Sequence, residues 1–282
     1  MIPNLMIPKR GPLILAALLL CAPAWSATPP PAESDYAELL SRVEPHRVLL
    51  IGEIHGTAQV PAIIASLATR MAVEERPLIV GLELPNTLQP ELKKFLASAG
   101  ADADRKLLMA DPFWQRDYQD GRSSVAMFEL IESLRALAIK RDVRVLAFDV
   151  PEAAKLSGAE RDQRMAGTII AALKESAEAR ALILAGNFHT RIQASAPWDE
   201  KHRFMGHYLS DFDPYSIEII GISGSAWICT GSDVASCKAR ETPANELQPG
   251  FELGDEINER GHHGMWRLPV SEQSPPAKYS AG

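Results

Sequence analysis

Val48-Leu49-Leu50-Ile51-Gly52-Glu53-Ile54-His55-Gly56-Thr57 is the stretch on which the fold turns. Four apolar residues run into a glycine, and a carboxylate and an imidazole follow two positions apart. A short apolar run bounded by glycine reads as a buried strand. Glu53 and His55 share a parity, so an extended chain points both to one side. The spacing recurs far downstream. Leu182-Ile183-Leu184-Ala185 leads into Gly186-Asn187-Phe188-His189, a second Gly-x-x-His tail on a second apolar run.

Between and around these two runs, strand patterns alternate with helical ones. His46 to Ile51 reads as the first strand, with Thr57 as the cap of a helix striped by Ile63, Ile64, Leu67 and Met71. Leu78-Ile79-Val80-Gly81-Leu82 is a second strand ending at Glu83, and Leu88 to Ala97 a short helix. Asp111-Pro112-Phe113-Trp114 and Asp120-Gly121-Arg122-Ser123-Ser124 are loop chemistry. Ser123 or Ser124 caps a helix carrying Met127, Leu130, Ile131, Leu134 and Leu137. Val143 to Phe148 is a third strand ending at Asp149, and Glu160 to Glu175 a helix with Met165, Ile169 and Leu173 on one stripe. Ala181 to Ala185 is the fourth strand, Ile217 to Ile222 a fifth, one-sided because of Glu218, and Met265 to Val270 a last edge strand. The alternation predicts one α/β domain over 46–282, a mostly parallel central sheet with helices on both faces.

Residues 1–27 read as a cleaved secretory leader. Lys9 and Arg10 precede an apolar run from Leu13 to Leu20, too short to span a bilayer, and small residues mark cleavage sites near Ala24. Cys21 would suit a lipid anchor less well, since Leu20 before it is not small. Residues 28–45 read as a Pro-rich linker and an entry helix. The expected compartment is periplasmic or extracellular, with no integral membrane segment in the mature chain. The net charge of the 282 residues is −7, and loss of the leader makes it more negative. With no basic run, nucleic acid is not a partner. In an oxidising compartment, Cys229 and Cys237, flanking a Gly-rich segment, are expected to be bridged.

The strand ends hold the chemistry. The first carries Glu53 and His55, the second Glu83, the third Asp149, the fourth Asn187 and His189. In an open parallel sheet all carboxyl ends lie along one edge, where ligands bind. Imidazoles and carboxylates together suit a divalent metal (Zn, Mn or Fe), with a spare carboxylate to activate water. They equally suit metal-free acid–base hydrolysis, with His as base and Glu orienting it. Asp149 also reads as a simple cap. Arg122 can bind a substrate anion or pin its own loop through Asp120. His46, His202 and His207 read as solvated or packing residues, and His262-His263 as a loop pair. No Gly-x-Ser-x-Gly elbow is present.

These residues carry a family resemblance over about His46 to Ile222. Gly52-Glu53-Ile54-His55, Gly81-Leu82-Glu83 and Gly186-Asn187-Phe188-His189 resemble the ordered signatures of the superfamily that joins ChaN-like haem-binding proteins, Tiki/TraB-type metalloproteases and erythromycin esterases. Arg161-Asp162-Gln163-Arg164-Met165-Ala166 resembles the helix between them in ChaN-like members. Resemblance to the Tiki branch implies His55, Glu83 and His189 at a metal-dependent peptidase-like site. Resemblance to the esterases implies ester hydrolysis by Glu53, His55 and Glu83. Resemblance to the ChaN branch implies haem binding in iron uptake, for which His207, Tyr208 and Met205 are the candidate axial ligands. The leading expectation is metal-assisted hydrolysis of a small-molecule or peptide amide or ester. Asn187 would polarise the carbonyl, and Arg122 and Asp149 would bind substrate. A haem- or iron-compound-binding protein is the alternative.

Overall fold

A computed structural model describes residues 31–279 apart from 74–75, 152–153 and 243–245. The expected leader therefore lies outside the described residues. The chain runs α1 (Glu33–Val43), β1 (Val48–Glu53), α2 (Gln59–Met71), β2 (Leu78–Pro85), α3 (Gln89–Leu96), α4 (Asp102–Met109), α5 (Pro112–Gln115), α6 (Val125–Ala138) and β3 (Val143–Asp149). It continues through α7 (Gly158–Glu175), β4 (Arg180–Gly186), α8 (Met205–Tyr208), β5 (Pro214–Gly221), β6 (Gly224–Cys229), β7 (Cys237–Thr242), β8 (Gly250–Leu253) and β9 (Gly264–Leu268). Seven strands form one sheet in the order β3-β2-β4-β1-β5-β9-β8, and β6 pairs with β7 as a separate hairpin. All pairings in the large sheet are parallel except β8 with β9. The expected architecture, one mostly parallel α/β domain, is the one observed.

Side-chain parity assigns the two faces. Leu49, Ile51, Val80, Leu82, Leu182 and Leu184 pack into one apolar cluster with α1 to α6. Val48, Leu50, Ile79, Phe148, Ala181 and Ile183 pack into a second with α7 and α8. The chain steps outward from β1 to β3 with its helices on the first face. It then returns through β4 to β5 with its helices on the other. Right-handed crossovers demand that switch, because reversing direction along the sheet reverses the face. The reversal inserts β4 between β1 and β2, and that order builds the site.

Several local expectations are corrected. Thr57 does not cap α2. Ala58 stands at the N-cap, and Thr57 is buried in an isolated bridge to Gln273. Ser124 does cap α6, accepting from the Met127 amide. Strand β9 is not an edge, because β8 pairs on its outer side. Strand β5 is not one-sided, because Glu218 is fully buried and takes an Arg260 ion pair. Helix α5 occupies a stretch read as loop, and α4 and the β6–β7 hairpin form where no element is expected. Cys229 and Cys237 are opposed in that hairpin and disulfide-bonded. Among the described residues, no helix is long and apolar enough to cross a membrane.

Candidate active site

The register of three strands brings the acids together. Glu53, the last residue of β1, is level with Gly186, the last residue of β4. On the other side of β4, Glu83 of β2 accepts the Gly186 amide at 2.7 Å through Oε2. Both carboxylates thus flank one glycine at the carboxyl edge. A Cβ on Gly186 would lie 3.2 Å from His55 Nε2, 3.6 Å from Glu83 Oε2 and 3.6 Å from His189 Cδ2. The two imidazoles, from separate Gly-x-x-His turns, meet over the missing side chain.

His55 is held from both ends. Its Nδ1 lies 2.8 Å from Glu53 Oε1, and its Nε2 lies 3.4 Å from Glu83 Oε2. Burial alone would lower its pKa. The charge of Glu83 and the hydrogen bond to Glu53 outweigh that and raise it to about 10. At neutral pH His55 is therefore an imidazolium. Burial raises Glu53, and the contact with His55 only partly offsets the rise. Burial also pushes Glu83 up, but the opposing imidazolium and the Arg122 guanidinium hold it well below the usual carboxylate range.

His189 is differently placed. Its Nε2, 3.9 Å from Glu83 Oε1, accepts an Arg161 N–H at 2.8 Å. The proton then sits on Nδ1, which donates to Asp162 Oδ1 at 2.5 Å. Asp162 Oδ2 is engaged by His202 Nε2 at 2.7 Å. Arg161 also donates to Glu83 Oε1 at 2.6 Å and to both Asp149 oxygens at 2.9 and 2.8 Å. Arg122 binds Asp149 and, at 2.6 Å, Asp120. Asp149 is thus a buried hub for two guanidiniums. Arg122 pins its loop through Asp120, as one of its two expected roles has it, and lies 3.5 Å from Glu83 Oε1. The Asn187 amide donates to the Glu53 carbonyl at 2.9 Å, fixing one Gly-x-x-His turn against the other.

Arg161, Asp162 and His202 complete the site without a role read from the sequence. One signal was available. Asp162 lies on the same stripe as Met165 and Ile169 and is buried with them, and a carboxylate on an apolar stripe needs a partner. His202 carries no comparable mark. It is not a merely solvated residue, since it extends the hydrogen-bond chain through Asp162.

The donor set does not fit a divalent metal. His189 Nε2 and Glu83 Oε1 already take guanidinium N–H groups, and two partly buried arginines beside them oppose a dication. Among the described residues, no group of three or more His, Cys, Asp or Glu side chains is arranged to hold a metal ion. The candidate haem ligands lie on α8, whose Gly206 amide donates to the His189 carbonyl at 2.8 Å. Met205 is fully buried in the second core and Tyr208 packs against it. His207 Nδ1 lies 3.4 Å from the Ile192 carbonyl oxygen. None of the three has a hydrogen bond, ion pair or ring contact with the Glu53–His55–Glu83–His189 cluster. His262 and His263 pair with Ser216, His263 stacks on Tyr215, and His262 lies against the Asn187 backbone of the second turn.

No family model matches this sequence, and no curated protein sequence matches it. Solved structures do share its fold. An erythromycin esterase, EreC, in its open conformation is 12% identical with a TM-score of 0.64, covering 85% of this chain and 94% of that one. A succinoglycan biosynthesis protein is 11% identical with a TM-score of 0.60, covering 88% and 93%. A Bacillus cereus protein is 11% identical with a TM-score of 0.57, covering 88% and 94%. The chain shares the fold of these structures, an erythromycin esterase among them.

Proposed function

We propose that the protein hydrolyses an ester or related acyl derivative by metal-free acid–base chemistry, with His55 and Glu83 as the working pair. One observation carries this. His55 Nε2 and Glu83 Oε2 face each other at 3.4 Å across Gly186, in a cleft that leaves a fifth of the His55 side chain exposed. The gap is long for a direct hydrogen bond and lets one oxygen address both groups. Glu83 takes a proton from the attacking water as its oxygen bonds to the acyl carbon. His55 gives its proton to the alkoxide as the ester C–O bond breaks. Transfer from Glu83 to His55 then restores the pair. Glu53 orients the imidazole through Nδ1. Arg122, Arg161 and the Asn187 side chain, which has no hydrogen bond to another described residue, stand near the developing oxyanion. An erythromycin esterase shares the fold, which supports the reaction class. The disulfide suits an oxidising compartment, periplasmic or extracellular.

The test is hydrolysis of p-nitrophenyl esters of neutral and anionic acids by the purified protein, with and without a chelator. Activity that survives chelation and disappears in His55→Ala is the expected result. Activity lost to the chelator and restored by Zn or Mn would return the metal-assisted reading. No hydrolysis of any ester would overturn the proposal.

A further inference from the structure

We propose that the cavity beside the His55–Glu83 pair binds one compact oxyanion, a carboxylate or phosphate carried by the substrate. The word substrate rests on the hydrolytic reading; the binding does not. The cavity encloses about 210 Å³ and is lined by Arg116, Arg122, Lys155 and Arg161, with Asp149 as the acid among them. Four cations converge there on a chain whose net charge is −7. Arg116, Arg122 and Arg161 are offset by Asp120, Asp149 and Glu83, so Lys155 supplies the charge in excess, and the negative charge of the rest of the chain turns polyanions away.

Unused donors point the same way. A guanidinium has five N–H groups. Arg161 commits four of them to Asp149, Glu83 and His189. Arg122 commits three to Asp120 and Asp149. Both retain N–H capacity and both line the cavity. The same two side chains touch Glu83, so an anion held here places the rest of its molecule against the reacting pair.

Lys155 is the independent observation. It has no ion pair among the described residues, and it is exposed on the turn between β3 and α7. Its φ is +48°, in the left-handed region that lysine rarely adopts. Strained backbone of this kind gathers at ligand sites, where the strain positions a side chain. Here it sets an uncommitted ammonium at the edge of a cavity that already holds three guanidiniums.

Calorimetric titration of the full-length protein with inorganic phosphate, and separately with glutarate, tests the site. Saturable binding of at least one probe is expected, weakened about tenfold by Lys155→Ala and abolished by Lys155→Glu. Tighter phosphate binding assigns a phosphate, and tighter glutarate binding a carboxylate. Lys155 is exposed and unpaired, so both variants should fold, which the unfolding midpoint checks. No saturable binding of either probe, or binding that Lys155→Glu leaves unchanged, overturns the site. His55→Ala separates this proposal from the one it builds on. It should remove turnover and leave probe binding in place. A wild-type protein that binds a probe but hydrolyses no ester would keep the pocket and lose the hydrolase.

Discussion

His55 and His189 address the two oxygens of a single carboxylate, Glu83, but only His55 does so with a nitrogen that no guanidinium engages. That asymmetry divides their roles. His55 faces the reacting space, and His189 fixes Arg161. Glu83→Gln should therefore remove the base and lower kcat/KM at least about a hundredfold. It also removes one of the carboxylates that offset Arg122 and Arg161, which keep Asp149 and, for Arg122, Asp120, for a stability loss of about 1–2 kcal/mol. The His55 ring, followed by NMR titration, should move down by more than one pH unit. An unchanged midpoint would show that Glu83 does not set the charge on His55.

The raised pKa of His55 has a stability consequence of fixed sign. The folded value is about 10 and the ordinary value 6.5. The folded state therefore binds more protons between those values. The stabilisation is complete below pH 6.5 and is lost as pH rises toward 10, with a limiting slope of about 1.4 kcal/mol per pH unit. Denaturant melts between pH 7 and 10 should show the loss in the wild type and a flatter profile in His55→Gln. Hydrolysis should hold through most of that window and fall by half only near pH 10, since the imidazolium is the acid. A rate that rises through pH 10 would make His55 the base instead.

Gly186 is where packing and chemistry meet. Adding a methyl there puts a carbon 3.2 Å from His55 Nε2, between the imidazole and Glu83. Gly186→Ala should reduce kcat more than about tenfold, since displacements of this kind misalign reacting groups. It should change the unfolding midpoint little, because the site opens to solvent on one side. Full activity in this variant would mean that the reaction does not pass over Gly186.

How much of this was legible depends on which residues are local. Strands β1 to β4 are apolar runs with a glycine or acid at the end, and pattern alone places those ends on one edge. The order β2-β4-β1 is a different matter. It follows from crossover handedness, and only it puts Glu53 and Glu83 on either side of Gly186. Arg161 and Asp162 were visible as a motif, but their partners were not, because a helix reveals its partners only once docked on its sheet. The charge balance of the rim was hidden for the same reason. Acids and imidazoles on one rim suggest a cation until two arginines from a loop and a helix arrive to neutralise them.

His262 marks the acid limit. It is fully buried against Ser216, and burial, with Arg191 and Arg260 nearby, lowers its pKa to about 3. Between pH 3 and 6.5 the unfolded chain takes up a proton that the folded chain refuses. Stability should fall as pH drops below 6.5, by up to about 1.4 kcal/mol per unit from this residue. His262→Gln should flatten that limb in urea melts at pH 4 to 7. An equal slope in the variant would assign acid lability to the carboxylates instead.

The disulfide acts on the site through the hairpin it closes. Trp227 of β6 donates its amide to the Gly56 carbonyl at 3.0 Å and its indole N–H to the Gln119 carbonyl at 2.8 Å. Gly56 follows His55, and Gln119 belongs to the loop that presents Asp120 and Arg122. Gly56 itself, at φ +79°, would drive a Cβ into the Trp227 carbonyl, so the contact admits no side chain there. Cys229→Ser with Cys237→Ser should lower stability by about 2–3 kcal/mol, the entropy of a short closed loop. It should also raise KM for anionic esters more than it lowers kcat. The loosened loop carries a cavity guanidinium, whereas Glu53, Glu83 and Gly186 are fixed by the sheet. Unfolding and steady-state kinetics under oxidising and reducing conditions measure both effects. A reduced protein with an unchanged KM would show that the hairpin does not brace the Arg122 loop.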